Sequence, residues 1–256
     1  MKKENKSVFI AMPALGGVHP AVVDSVFKNM TSFCNKYSTN KEDVQNKIEI
    51  RTVTGSLVYD ARKLLVRTFL EESDKSHFFF WDSDIILFED TINKLMEFDK
   101  DVISIVYYSK NPPYHPVMGI ERIEVSDDII GTRKIVDNKY LQNETQEVWG
   151  VGLGGCLIKR EVLETMMDKY ENPFFPIKQL GEDYAFCERL REQNYKVNIA
   201  PQIRTFHQGQ TEIQVDDYMK VLKGYISQQI NERAQKMREE QVENGESEGN
   251  DKPIQW

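Results

Sequence analysis

Apolar and polar positions change their period several times along this chain. SVFIAM (7–12) is a mostly apolar run ended by Pro13 and the pair Gly16-Gly17, as in a buried strand that feeds a loop. His19 to Phe33 reads as a helix, and KIEIRTVTG (47–55) alternates as a strand does. From Leu57 to Glu72, positions Leu57, Ala61, Leu64, Leu65, Thr68 and Phe69 recur at helical spacing, with Arg62 off that stripe. HFFFW (77–81) is an aromatic strand, Asp90–Phe98 a helix and DVISIVYY (101–108) a strand. Alternating β and α units up to Lys110 predict a parallel sheet with helices on both faces.

After Lys110 the pattern changes. Asn111–Pro116 is a proline-rich loop, and Pro116–Val125, Arg133–Asp137 and Glu147–Val151 read as short hairpin strands beside the sheet. VGLGGCLIKREVLETM (151–166) is a glycine-loosened strand that turns into a helix at about Arg160. LGEDYAFCERLREQ (180–193) reads as a helix with acids at its start, KVNIAP (196–201) as a strand, and IRTFHQGQ (203–210) follows it. Over Asp216–Met237 a stripe of Met219, Leu222, Ile226, Ile230, Ala234 and Met237 predicts a terminal helix. Its apolar face needs cover, either on the body or in a homo-oligomer contact. The expected division is a body over 1–210, a helix over 211–238 and an acidic, disordered tail over 239–256.

Composition narrows the class. With 40% hydrophobic and 29% charged residues in 256, the chain is long and apolar enough for a globular core. No apolar run of about 18 residues occurs, so no membrane span is expected. The short apolar stretch after MKKENK ends in Pro and Gly, which suits a first strand and a cytoplasmic location better than a signal peptide. Cys34, Cys156 and Cys187 are odd in number and lack CxxC spacing, so they read as core thiols. Net charge is −8, and six acids against two bases after Met237 supply half of it. No basic block stands out, which disfavours nucleic acid as a partner.

Candidate chemistry centres on Asp82-Ser83-Asp84. An aspartate pair after a strand can be a capped turn. Here both flanks are apolar (Phe78–Trp81, Ile85–Leu87), and unpaired charge is costly in such a place. A divalent cation would offset that cost. The pair and Met12-Pro13 both lie at carboxyl ends of predicted strands, where such sheets bind ligands. Gly181-Glu182-Asp183 either caps a helix or supplies a base. His207 sits in a late loop, and imidazole beside carboxylate suits Mn²⁺ or another transition ion. Gly152-x-Gly154-Gly155 matches no phosphate-loop spacing and reads as a place of close backbone approach to a ligand. Trp149 beside it is a flat contact surface or core.

In order, these motifs resemble one family. A strand ending in Pro with a Gly loop (Met12–Gly17), Ala61-Arg62-Lys63, FFFWDSD, VGLGGCLIKREVLE, LGEDYAFCERLRE and TFHQG together resemble a small bacterial or phage-type glycosyltransferase of the GT-A fold, over residues 7–210. The resemblance implies an α/β, Rossmann-like fold: a mixed, mainly parallel central sheet with helices on both faces, plus the C-terminal helix. It implies that Asp84 and His207 ligate Mn²⁺ or Mg²⁺, with Asp82 at the ribose or the ion's water shell. Pro13, Ala14 and Gly16 would wall the nucleobase, and Arg62, Ser83, Gly154 and Gly155 would line the donor. Asp183, with Glu182 second, would be the base of an inverting transfer from a nucleotide-sugar, UDP-sugar first, to a hydroxyl acceptor; a retaining route stays open. Two alternatives differ in class. A haloacid-dehalogenase-like phosphatase also runs an apolar strand into Asp-x-Asp, but carries Thr or Val where Ile86 stands. A non-catalytic sugar-nucleotide-binding protein would keep the fold without turnover.

Overall fold

The computed structural model describes residues 6–40, 43–132, 144–208 and 215–243. The first half runs β1 (Val8–Ala14), α1 (Pro20–Tyr37), a short α2 (Val44–Lys47), β2 (Ile48–Thr54), α3 (Val58–Glu72), β3 (His77–Trp81), β4 (Ile85–Leu87), α4 (Thr91–Glu97) and β5 (Val102–Ile105). Then follow β6 (Met118–Gly119), β7 (Arg122–Ser126), β8 (Ile129–Thr132), β9 (Gln146–Val148), β10 (Gly150–Val151) and β11 (Gly155–Lys159). The chain continues through α5 (Arg160–Lys169), α6 (Glu182–Glu192), β12 (Val197–Ala200), β13 (Thr205–His207) and α7 (Val215–Glu243).

Seven strands form the central sheet in the order β2-β1-β3-β11-β5-β12-β9. The neighbours β2, β1 and β3 are parallel, as are β5 and β12. Strand β11 enters antiparallel between β3 and β5, and β9 closes the far edge antiparallel to β12. The expected mixed, mainly parallel sheet is therefore present.

Two cores explain the aromatic strand. Phe78 and Phe80 point into the cluster that holds Leu65 and Phe69 of α3, Met166 of α5 and Phe186 of α6. Phe79 and Trp81 point the other way, against Val22 and Phe33 of α1 and Leu95 of α4. Successive strand residues face opposite sides, so a strand covered on both faces must be apolar at every position. Each such ring contributes about 1.5–3 kcal/mol through burial. Strand β11 hands over to α5 at Arg160, as expected, and the Arg160 guanidinium donates to the Phe69 and Ser73 carbonyls at the end of α3.

Several expectations shift. Strand β1 continues through Pro13 to Ala14; past Ala11 it pairs with β2 alone, the edge condition under which proline is tolerated. Strand β5 stops at Ile105 instead of Tyr108, because Val117 N–H donates to the Tyr107 carbonyl and Ser109 N–H to the His115 carbonyl, folding the chain back on itself. The hairpin β7–β8 is offset from the expected segments, and Arg133–Asp137 lies outside the described residues. Helix α7 rests on the core through Met219 and Leu222 and runs on to Glu243, past the expected end at 238 and into the first residues expected as tail. Residues 244–256 of the expected tail lie outside the described residues. Among the described residues, no helix is long and apolar enough to cross a membrane.

Candidate active site

Strand ends place the site. The turn after β3 is pinned on three sides: Asp82 N–H donates to the Gly154 carbonyl at 3.0 Å, Ile85 N–H to the Asp82 carbonyl at 3.1 Å, and His19 N–H to the Ser83 carbonyl at 3.2 Å. Behind it, β4 pairs antiparallel with β13, with His207 opposite Ile85. Gln208 N–H donates to the Asp84 carbonyl at 2.7 Å. This small two-stranded sheet carries the late histidine to the aspartates.

Arg62 is the hub. It is 1% exposed and stands over the Phe80 ring, 4.9 Å from its centroid. One guanidinium nitrogen lies 3.2 Å from Asp82 Oδ1; the other lies 3.2 Å from Asp183 Oδ1 and 3.8 Å from Glu182 Oε1. Asp82 ends a strand and Asp183 begins a helix in the other half of the chain, so this arginine ties the two acidic motifs together. Burial pushes the Asp183 carboxyl up to about 7; Arg62 pulls against it, while Glu182 and Asp82 add to it. Asp82 Oδ1 and Asp183 Oδ1 are both shut off from solvent and accept no hydrogen bond.

A second group lies at Asp84. His207 Nε2 is 3.5 Å from Asp84 Oδ1, and Lys110 Nζ is 2.5 Å from Oδ2. His207 Nδ1 lies 2.6 Å from the Tyr108 carbonyl, which can only accept, so Nδ1 carries a hydrogen. Nε2 is left facing the Asp84 carboxylate. Burial would raise the Asp84 carboxyl, but the contacts with His207 and Lys110 outweigh it and hold it down at about 2.

Between the two groups opens a cleft of about 430 Å³ lined by Pro13, Ala14, Asp82, Ser83, Asp84 and the Arg62 hub, with Ser56, Leu57 and Val58 from the start of α3. Of the expected donor residues, Gly16 is not in that lining, and a Cβ there would meet nothing within 4 Å. Leu15 lines the cleft instead, 82% exposed. A Cβ on Gly154 would lie 2.8 Å from Asp82 Oδ2 and 3.1 Å from the Tyr107 hydroxyl, so this glycine backs the aspartate. One on Gly155 would overlap Ile105, which makes that glycine a matter of core packing. Trp149 is buried, stacks on Tyr184 and donates to Glu188, so it belongs to the core.

The expected cation set is divided: Asp84 and His207 converge, while Asp82 turns to Arg62. Among the described residues, no three His, Cys, Asp or Glu side chains form a group that could hold an ion unaided. A divalent cation nonetheless suits the donors present. Four carboxylates (Asp82, Asp84, Glu182, Asp183) face two cationic side chains, Arg62 and Lys110, so the carboxylates outnumber the cations beside them. Sequence reading missed Tyr107 and Lys110. Both follow β5 at the sheet's carboxyl edge, the same position that marked Pro13 and the aspartate pair. Gly154 N–H donates to the Tyr107 hydroxyl at 3.2 Å, and the Tyr107 ring meets the His207 ring edge to face.

No protein-family model and no curated protein matches the sequence. Solved structures match it in fold. A197 from STIV matches with a TM-score of 0.54 at 22% identity, over 79% of this chain and 85% of that one. The structure titled GalNAc-T7 with UDP, GalNAc and Mn²⁺ matches with a TM-score of 0.52 at 12% identity, over 86% of this chain and 48% of that one. An apo UDP-glucose pyrophosphorylase stands further off, at a TM-score of 0.44 and 10% identity, over 88% of this chain and 99% of that one. At such identities the likeness speaks to architecture alone: the chain has a Rossmann-like GT-A fold, a mixed sheet with flanking helices.

Proposed function

We propose that this protein is a metal-dependent glycosyltransferase that moves a sugar from a nucleotide-sugar to an acceptor hydroxyl with inversion. The observation that carries the proposal is the convergence on Arg62 of Asp82 and Asp183 in one cleft that Asp84 also lines, with His207 3.5 Å from Asp84. Asp183 is the base. A carboxyl near 7 at neutral pH can take a proton from a hydroxyl and still be half ionised beforehand. Glu182, on the same guanidinium, is the second acid, and its charge helps raise the Asp183 carboxyl.

Asp84 and His207 would hold Mn²⁺ or Mg²⁺, which supplies a Lewis acid for the leaving nucleoside diphosphate. Leu57, Val58 and Pro13 offer the nucleobase an apolar wall, and Asp82 and Ser83 face the ribose side of the cleft. UDP is the first nucleotide to try, since GalNAc-T7, of the same fold, binds UDP with Mn²⁺. The phosphatase alternative needs Asp82 as nucleophile, yet Arg62 lies against both of its oxygens and damps that reactivity.

Thermal unfolding with UDP, GDP, CDP, ADP and dTDP, each with Mn²⁺ and with EDTA, tests the proposal. A ligand at a hundred times its dissociation constant adds about 2.7 kcal/mol. The expected result is a raised midpoint with one nucleotide, lost in EDTA and in Asp84→Ala. No shift with any nucleotide would sink the donor site, and turnover of phosphomonoesters would replace it with the phosphatase.

A further inference from the structure

Lys110 lies between β5 and β6 on a segment whose base is closed by the Ser109 N–H to His115 carbonyl bond. Its ammonium occupies Asp84 Oδ2 at 2.5 Å, while Oδ1 faces His207. Both oxygens of the carboxylate best placed to hold a divalent cation are therefore already engaged, one of them by a cation the protein supplies. The Lys110 side chain is 42% exposed and flanked by exposed Asn111 and Pro112. Arg62 differs in every respect: buried, shared among three carboxylates and fixed over an aromatic ring. Of the two cations on these carboxylates, Arg62 is buried and Lys110 is exposed.

We propose that Lys110 is an exchangeable counter-ion, which holds Asp84 when no divalent cation is bound and must release it for the cation to enter, so that Lys110 sets the cation's affinity. Resting on the donor-site proposal above, this adds a competition to it. An ammonium and a divalent ion repel each other across one carboxylate, and the two ligands left to the ion, Asp84 and His207, are too few to make the exchange one-sided. Coupling the exchange to an exposed side chain keeps the cleft from binding a cation tightly before an anionic donor arrives to share it.

The test is Mn²⁺ binding to the full chain without nucleotide, followed by the loss of the free-ion paramagnetic resonance signal. Wild type, Lys110→Met, Lys110→Arg and Asp84→Asn are compared. Removing an ion pair of this exposure should tighten Mn²⁺ binding about two- to fivefold in Lys110→Met. Lys110→Arg, which keeps the charge, should stay near wild type, and Asp84→Asn should lose this binding. If Lys110→Met binds Mn²⁺ no more tightly than wild type, while wild-type binding depends on Asp84, the counter-ion role is wrong and the donor site stands. If neither wild type nor Lys110→Met binds Mn²⁺, alone or with UDP, both proposals fall together.

Discussion

Replacing Arg62 with methionine removes the guanidinium shared by Asp82, Glu182 and Asp183 and keeps an apolar stem beside Phe80. Stripping one partner from a buried ion pair costs about 3–5 kcal/mol, a large part of the roughly 5–15 kcal/mol that holds a domain folded. The cost should depend on pH, because Asp183 can take up a proton. In the native protein burial pushes that carboxyl up to about 7, with Arg62 opposing. A carboxyl raised in this way binds its proton more tightly folded than unfolded. It therefore contributes stability in full below its unfolded value and loses it as pH rises to 7.

Without Arg62 the folded value moves higher, so the variant goes on losing stability above pH 7 where the native protein has stopped. One pH unit of such difference is worth about 1.4 kcal/mol. The penalty of Arg62→Met should then be smaller at pH 6 than at pH 8 by roughly 1–1.5 kcal/mol. Urea unfolding at both pH values measures it, followed by tryptophan fluorescence to which buried Trp81 and Trp149 contribute. An equal penalty at the two pH values, or a larger one at pH 6, would refute the assignment of Asp183 as the carboxyl that takes the proton.

Asp183→Asn should keep metal-dependent nucleotide binding, lose transfer and flatten the fall in stability between pH 6 and pH 8; normal turnover would remove Asp183 as base. Gly154→Ala should cost about 1–3 kcal/mol and weaken nucleotide binding by displacing Asp82, whereas Gly16→Ala, with open space around it, should change unfolding by less than about 0.5 kcal/mol. Equal effects of the two would show that Asp82 yields freely. On α7, buried Leu222→Ala should cost about 2–5 kcal/mol. Ile230, 62% exposed, should tolerate alanine in a monomer, so a concentration-dependent loss of stability in Ile230→Ala would place a second copy on that helix.

What could be read from the sequence was what depends on local period. HFFFW declares a strand buried on two faces because no polar residue interrupts it, and the apolar run before Lys159 marks where β11 yields to α5. Strand direction was not legible in the same way. Nothing local to Gly155–Lys159 says that it runs antiparallel between β3 and β5, since that depends on the path of the hairpins before it. The site shows the same division. Each acid was legible as an acid at a strand or helix end, but Asp82 and Asp84 sit two residues apart and serve different partners. Arg62 takes the first, and a three-residue strand brings His207 to the second. Arg62 stood out as polar beside a helical stripe; that it is fully buried follows only from carboxylates converging from both halves of the fold.

That division matters for the chemistry proposed. At one end of the cleft the Asp84 side chain is 35% exposed, its charge is easily balanced, and its carboxyl is held well below the ordinary range. At the other end the Asp183 side chain is 18% exposed with its Oδ1 shut off from solvent, and burial raises its carboxyl instead. Two carboxylates of the same kind are thus driven apart by burial at one end and cationic contacts at the other, the separation that the proposed division into base and cation ligand needs. A nucleoside diphosphate entering this cleft meets more negative than positive charge, so its binding should need a divalent cation at the wet end. The hydroxyl that loses a proton should then approach from the more buried end, where Asp183 stands with its raised carboxyl. A donor that bound equally well in EDTA would contradict this arrangement at its root, whatever the nucleobase.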